Sequence, residues 1–171
     1  MTFTPRTWAV GETVTASMLN TEIRDQFNSM FGAWTPYTPT WTAVTTPPAL
    51  GNGTLTGQYM KIGRTCFTIF VLTMGSTTTY GSGFWKMSLP FTAATVTGGS
   101  PGVFNYIYSR SPTPNFMIGS GAVPNGASNT DLMYLPSLSV TGDWNALNDT
   151  TPVTPAAGEI LRGFGTYQTA T

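Results

Sequence analysis

Residues 54–74 read TLTGQYMKIGRTCFTIFVLTM, and this run limits the possible folds more than any other part of the chain. Gly63 stands between two stretches rich in Thr, Ile, Val, Tyr and Phe. Those side chains suit the pleated, half-buried surface of a strand. Glycine in turn supplies the backbone freedom of a tight reversal. The run predicts a β-hairpin with arms at about 55–62 and 64–74 and its turn near Gly63. The second arm alternates at Cys66 and Thr68, then stays apolar through residues 69–72. That pattern predicts a central strand covered on both faces.

The strand grammar continues to the C-terminus. FWKMSLP at 84–90 reads as a strand ended by Pro90, and further strands are expected at 103–109, 115–120, 131–135, 138–140 and 159–169. Turn-rich segments separate them without any helical periodicity, which argues against a parallel α/β sheet. The expected fold class is therefore mainly β: an antiparallel sandwich, jelly-roll-like, preceded by an extended arm and a single α-helix. The polar loops 92–102, 111–114, 123–129 and 141–158 are the natural sites for an exposed binding surface.

The helix comes first in the chain. Thr15, with Thr13 as the other option, can accept a backbone N–H as an N-cap. Met18, Leu19, Ile23, Phe27, Met30, Phe31 and Trp34 then follow at steps of three and four, on one helical face. Asn20, Glu22, Arg24, Asp25, Asn28 and Ser29 fill the opposite side. Gly32 weakens the last turn, and Pro36 stops extension. A helix this short is marginal alone, so its stripe needs a covering surface. Prolines at 36, 39, 47 and 48 make the next segment read as an extended connector. The expected organisation is an arm and helix at 1–35, a Pro/Thr-rich connector at 36–53, and a β-sandwich at 54–171. The attachment or oligomer interface is expected at Trp8, Leu19, Ile23, Phe27, Met30, Phe31 and Trp34.

Catalytic chemistry is hard to assemble from these residues. There is no histidine, one cysteine, and a formal net charge of zero from seven basic and seven acidic side chains. Serine or cysteine nucleophiles lack a histidine base, and Cys66 reads as a small buried hydrophobe. Asp131, Asp143, Asp149 and Glu159 show no spacing that singles out a glycosidase-type pair, so each is expected as a solvated loop acid. TGDWNALND lacks the full ligand pattern of a calcium loop and reads as a turn held by Asp and Asn side chains. No metal, cofactor or catalytic residue is expected. Charged residues are only 8% of the chain, and no basic cluster favours nucleic acid or a membrane surface. No apolar run reaches signal-peptide or membrane-spanning length. Among the aromatics, Trp144 in its polar loop is the one expected to contact a ligand such as a sugar, which keeps open a carbohydrate-binding module.

Two stretches carry a family resemblance. TPRTWAVGETVTASMLNTEIRDQFN, together with GNGTLTGQYMKIGRTCFTIFVLTMGSTTTYGSGFWKMSLP, resembles small structural proteins of tailed bacteriophages and prophages of actinobacteria, described as minor tail or tail-fibre-like proteins. Their N-terminal segment has the form TW-x-x-GE-x-VTA-x-x-LN-x-x-IRDQ. It is met here by Thr7, Trp8, Gly11, Glu12, Val14, Thr15, Ala16, Leu19, Asn20, Ile23, Arg24, Asp25 and Gln26. The resemblance covers roughly the first half of the chain. It implies a non-enzymatic virion protein, a homotrimer at a tail tip or fibre that contacts the host surface, including its glycans. Such a protein assembles with other virion proteins in the host cytoplasm and leaves by lysis. A capsid decoration protein or head fibre using the same anchor is the alternative.

Overall fold

The computed structural model describes residues 6–111, 115–134 and 145–170. These residues are mainly β, in two antiparallel sheets that form a sandwich. The strands are β1 (Thr35–Tyr37), β2 (Trp41–Ala43), β3 (Thr54–Ile62), β4 (Thr65–Thr73), β5 (Trp85–Ser88), β6 (Gly102–Ser109), β7 (Phe116–Val123), β8 (Asn129–Asp131), β9 (Met133–Tyr134), β10 (Asn145–Ala146) and β11 (Ile160–Gln168). The large sheet runs β1-β3-β4-β11-β6-β7-β9-β10, and the small one β2-β5-β8. This order defines a sandwich and does not by itself establish the expected jelly-roll connectivity.

The hairpin forms where the sequence places it. Ile62 pairs with Thr65, so Gly63 and Arg64 make a two-residue loop. Gly63 takes φ +57°, which a side chain would resist. β4 then alternates as a sandwich strand should: Cys66, Thr68, Phe70 and Leu72 are buried, and Phe67, Ile69 and Val71 are half-buried on the other face. The expected cover on both faces is thus present on one only, because no second layer of the described chain lies over the outer side.

The last strand is the centre of the large sheet. β11 pairs with β4 on one side and β6 on the other. Its inward positions include Gly163, opposite Phe70, and Gly165, opposite Phe104. The two rings lean over the bare backbone and stack at 6.4 Å between centroids. A Cβ on Gly163 would lie 2.2 Å from the Phe70 ring, and one on Gly165 2.4 Å from that of Phe104. The RGFGTY spelling therefore makes room for aromatic side chains from both neighbours. Replacing Gly163 with Ala is expected to cost about 1–3 kcal/mol by overpacking, read as a lower urea midpoint at unchanged m-value. Adding Phe70→Leu should make that penalty smaller than it is in the parent chain.

Between the sheets, Phe70, Leu72, Phe104, Tyr106, Tyr108 and Leu161 face Trp41, Trp85 and Met87 in one core. The sandwich closes along one side where β7 meets β8: the Thr130 hydroxyl donates to the Ala122 carbonyl at 3.1 Å.

The segment read as a connector does more than span a gap. β1 pairs with β3, and β2 pairs with β5. Trp41 is buried edge-on against Trp85. Strand boundaries also differ from expectation. β7 continues to Val123, and the strand expected at 131–135 is divided between β8 and β9. The strand expected at 138–140 lies outside the described residues.

Candidate interaction surface

Thr15 begins the helical segment as expected. It is extended at φ −97° and ψ 156°, and its hydroxyl accepts from the Met18 N–H at 3.3 Å. The helix then runs as α1 (Ala16–Leu19), a π turn (Asn20–Arg24) and α2 (Asp25–Phe31). In an α-helix a step of four overshoots one full turn by about 40°. The wider π turn rotates less per residue, which keeps Leu19, Ile23 and Phe27 closer to one line. Gly32 leaves the helix at ψ 163°. Trp34, expected on the helix, lies instead in the extended lead to β1.

The burial of this segment is the reverse of that in an amphipathic helix packed on its own domain. Leu19, Ile23, Phe27, Met30, Phe31 and Trp34 are exposed, from 37% at Trp34 to 80% at Phe31. On the polar side Asn20, Arg24 and Asn28 are exposed too, and Glu22, Asp25 and Gln26 are half-exposed. The N-terminal arm meets this side at Glu22. Arg6 reaches the Glu12 carboxylate at 2.6 Å and the Glu22 carboxylate at 2.8 Å, and its guanidinium lies 5.5 Å from the centroid of the Trp8 ring. The Ala9 N–H, and after it Arg6, hold the Glu12 carboxyl below its usual value. The arm is thus tied to the polar side at Glu22, and the apolar stripe faces solvent. α2 meets the sandwich at β3. Asn28, Gly32, Tyr59, Met60, Lys61 and Phe91 help line a cleft of about 310 Å³ there. A cleft of about 550 Å³, lined by no charged side chain, follows the β1–β3 edge beside Tyr37, Leu55 and Val71.

The acidic residues go to different places. Asp131 pairs with Lys86 at 3.1 Å on the small sheet. Asp149 is half-buried. Its neighbour Asn148 makes the turn read from the sequence, accepting from the Thr150 and Thr151 N–H groups at 2.8 and 2.7 Å. Trp144 and Asp143 lie outside the described residues. Glu159 corrects the expectation of a solvated loop acid, because it is fully buried. Its carboxylate accepts from the Tyr108 hydroxyl, from the Ala156 N–H at 3.0 Å and from Arg110 at 3.3 Å. These bonds pin the 156–159 turn to β6. Cys66 is buried as expected, and burial pushes its thiol up. Among the described residues no three His, Cys, Asp or Glu side chains gather at metal-binding distance, and no helix is long and apolar enough to cross a membrane.

Burial also pushes the Tyr108 and Tyr167 phenols well above the usual tyrosine range, with the Glu159 carboxylate adding to the effect on Tyr108. The folded state keeps these two protons at a pH where an unfolded chain releases them. The stability they contribute is complete below about pH 10 and is lost as pH rises above it. With both tyrosines titrating only in the unfolded chain, stability should fall by about 2.7 kcal/mol per pH unit there. The share of tyrosinate absorbance that Tyr108 and Tyr167 contribute should then appear together with the loss of near-ultraviolet circular dichroism, not before it.

Compared with protein families, curated proteins and solved structures, the chain finds no match. The surface must be read on its own chemistry. It carries little charge and a line of large apolar side chains, and it is suited to packing against another apolar surface.

Proposed function

We propose that this chain is a non-enzymatic structural protein of a bacteriophage virion, a trimeric component of a tail tip or fibre that contacts the host surface. One observation carries the reading: the apolar side chains Leu19, Ile23, Phe27, Met30, Phe31 and Trp34 are exposed rather than packed on the sandwich. The stripe sits on the segment whose TW-x-x-GE-x-VTA spelling resembles virion tail proteins. Self-association fits the low charge of the chain, since copies that carry few charges repel each other weakly. The same stripe serves equally well on a capsid shell, as a decoration protein or head fibre.

The test is the pair Ile23→Asp and Phe27→Asp in the full chain. Both side chains are exposed, so the melting of the sandwich should not change. Burying each contributes about 1.5–3 kcal/mol at a docked interface, so losing both should weaken incorporation into particles about hundredfold or more. Incorporation equal to the parent chain would remove the stripe as an anchor.

A further inference from the structure

The outer face of the large sheet carries a second set of exposed apolar side chains, interspersed with uncharged polar ones. Register places Val71, Arg162, Ile107 and Ile118 in one row across β4, β11, β6 and β7. The next row is Ile69, Phe164, Asn105 and Ser120. Phe164, Val103, Ile118 and Phe116 are all more than half exposed. Among the described residues, Arg162 is the one charged side chain at an outward position of β3, β4, β6, β7 and β11, and its guanidinium donates to the Ser109 hydroxyl at 3.0 Å.

The small sheet shows what a water-facing side looks like in this chain. Its outward positions are Thr42, Lys86, Ser88, Asn129 and Asp131. An antiparallel sheet with one side in water alternates apolar-in and polar-out. The small sheet follows that rule, whereas β4 turns Phe67, Ile69 and Val71 outward, and β6 and β7 mix Val103, Ile107, Phe116 and Ile118 with Asn105, Ser109 and Ser120. Soluble monomers rarely expose a contiguous apolar patch beyond a few hundred Å². Five strands about 4.8 Å apart, with about nine residues each, span roughly 700 Å². A stable protein–protein interface takes about 800 Å² from each partner and mixes polar with apolar area, so the whole face, its polar positions included, approaches one interface side.

We propose that copies of this chain turn this face toward one another around a shared symmetry axis, sheet against sheet. The face offers an acidic or basic partner almost no charge to complement, whereas a second copy presents an apolar surface of the same size without like-charge repulsion. This deepens the self-association part of the functional reading and leaves the helix stripe free for the particle. It also accounts for the apolar run at 69–72, whose spelling calls for cover on both faces.

Sedimentation equilibrium of the full chain tests it. The parent should have a mass that is a multiple of 18.3 kDa. The variant with Ile107→Lys and Phe164→Lys should sediment as a single chain with an unchanged far-ultraviolet spectrum. The helix variant with Ile23→Asp and Phe27→Asp should keep the parent mass. A monomeric parent, or a sheet variant that keeps the parent mass, overturns the proposal. If the helix variant alone dissociates, the stripe is the oligomer interface and the virion reading survives without this one. If the sheet variant does not fold, hydroxyl-radical labelling of the parent decides. Phe164 and Phe84 are 52% and 56% exposed in the single chain. Phe164 should be labelled several-fold more slowly than Phe84, and equal labelling overturns the proposal.

Discussion

Trp85→Ala should destabilise the fold by about 3–5 kcal/mol, among the largest losses expected for a single core truncation. Trp85 is fully buried on β5, the middle strand of the small sheet. Its ring meets Trp41 edge-on at 4.8 Å, and its Nε1–H donates to the Tyr80 carbonyl at 3.0 Å. Its backbone is bonded on both sides, to Leu147 and Leu132. With three short strands, the small sheet has few other ways to grip the large one, so the cavity left by alanine has little to collapse into it. Trp85→Phe keeps most of the apolar volume and removes only the N–H bond, and should lose about 1–2 kcal/mol. Urea denaturation of both variants checks the order. Equal losses would mean that the hydrogen bond, not the volume, holds the sheets together.

Glu159→Ala should also be costly. It strands the buried Tyr108 hydroxyl, at about 1–3 kcal/mol, whereas the N–H of the exposed Ala156 can turn to water. Arg110 is partly exposed and can turn to water, which keeps the loss below that of a fully buried ion pair. Glu159→Gln retains an acceptor for Tyr108 and should recover part of the loss. Thermal melts of the two variants check this. A Glu159→Ala chain as stable as its parent would show that the 156–159 turn is held by Met74, whose backbone bonds to Gly158 and Glu159.

How much of this was legible in the sequence depends on how local each signal is. The hairpin and the Thr15 cap are set by residues within a few positions of each other, and both formed as read. The burial of Glu159 is not local. Tyr108 and Arg110 stand about fifty residues earlier, and only the pairing of Ile160 with Ser109 brings them to it. The segment 36–53 was misread because prolines signal a spacer, whereas Pro36 sits in β1, an edge strand, where a missing N–H is tolerated. The π turn has no sequence signature that periodicity could detect. The stripe itself was legible; the ion pairs of Arg6 with Glu12 and Glu22 were not, because they join residues six and sixteen positions apart. What covers the stripe was not legible from its own residues. The apolar face of the large sheet was half-visible in the run at 69–72, and its extent emerged only once the register aligned β4, β11, β6 and β7.

The account rests on this chain being built into a particle through an exposed helix. Gold-labelled antibody against the C-terminal residues, imaged by electron microscopy on intact phage particles assembled with this chain, tests that most directly. Label at the tail tip or fibres is the predicted result, absent from particles carrying Ile23→Asp and Phe27→Asp. Label confined to the capsid would move the protein to the head-fibre reading, and particles that carry no label at all would contradict the account.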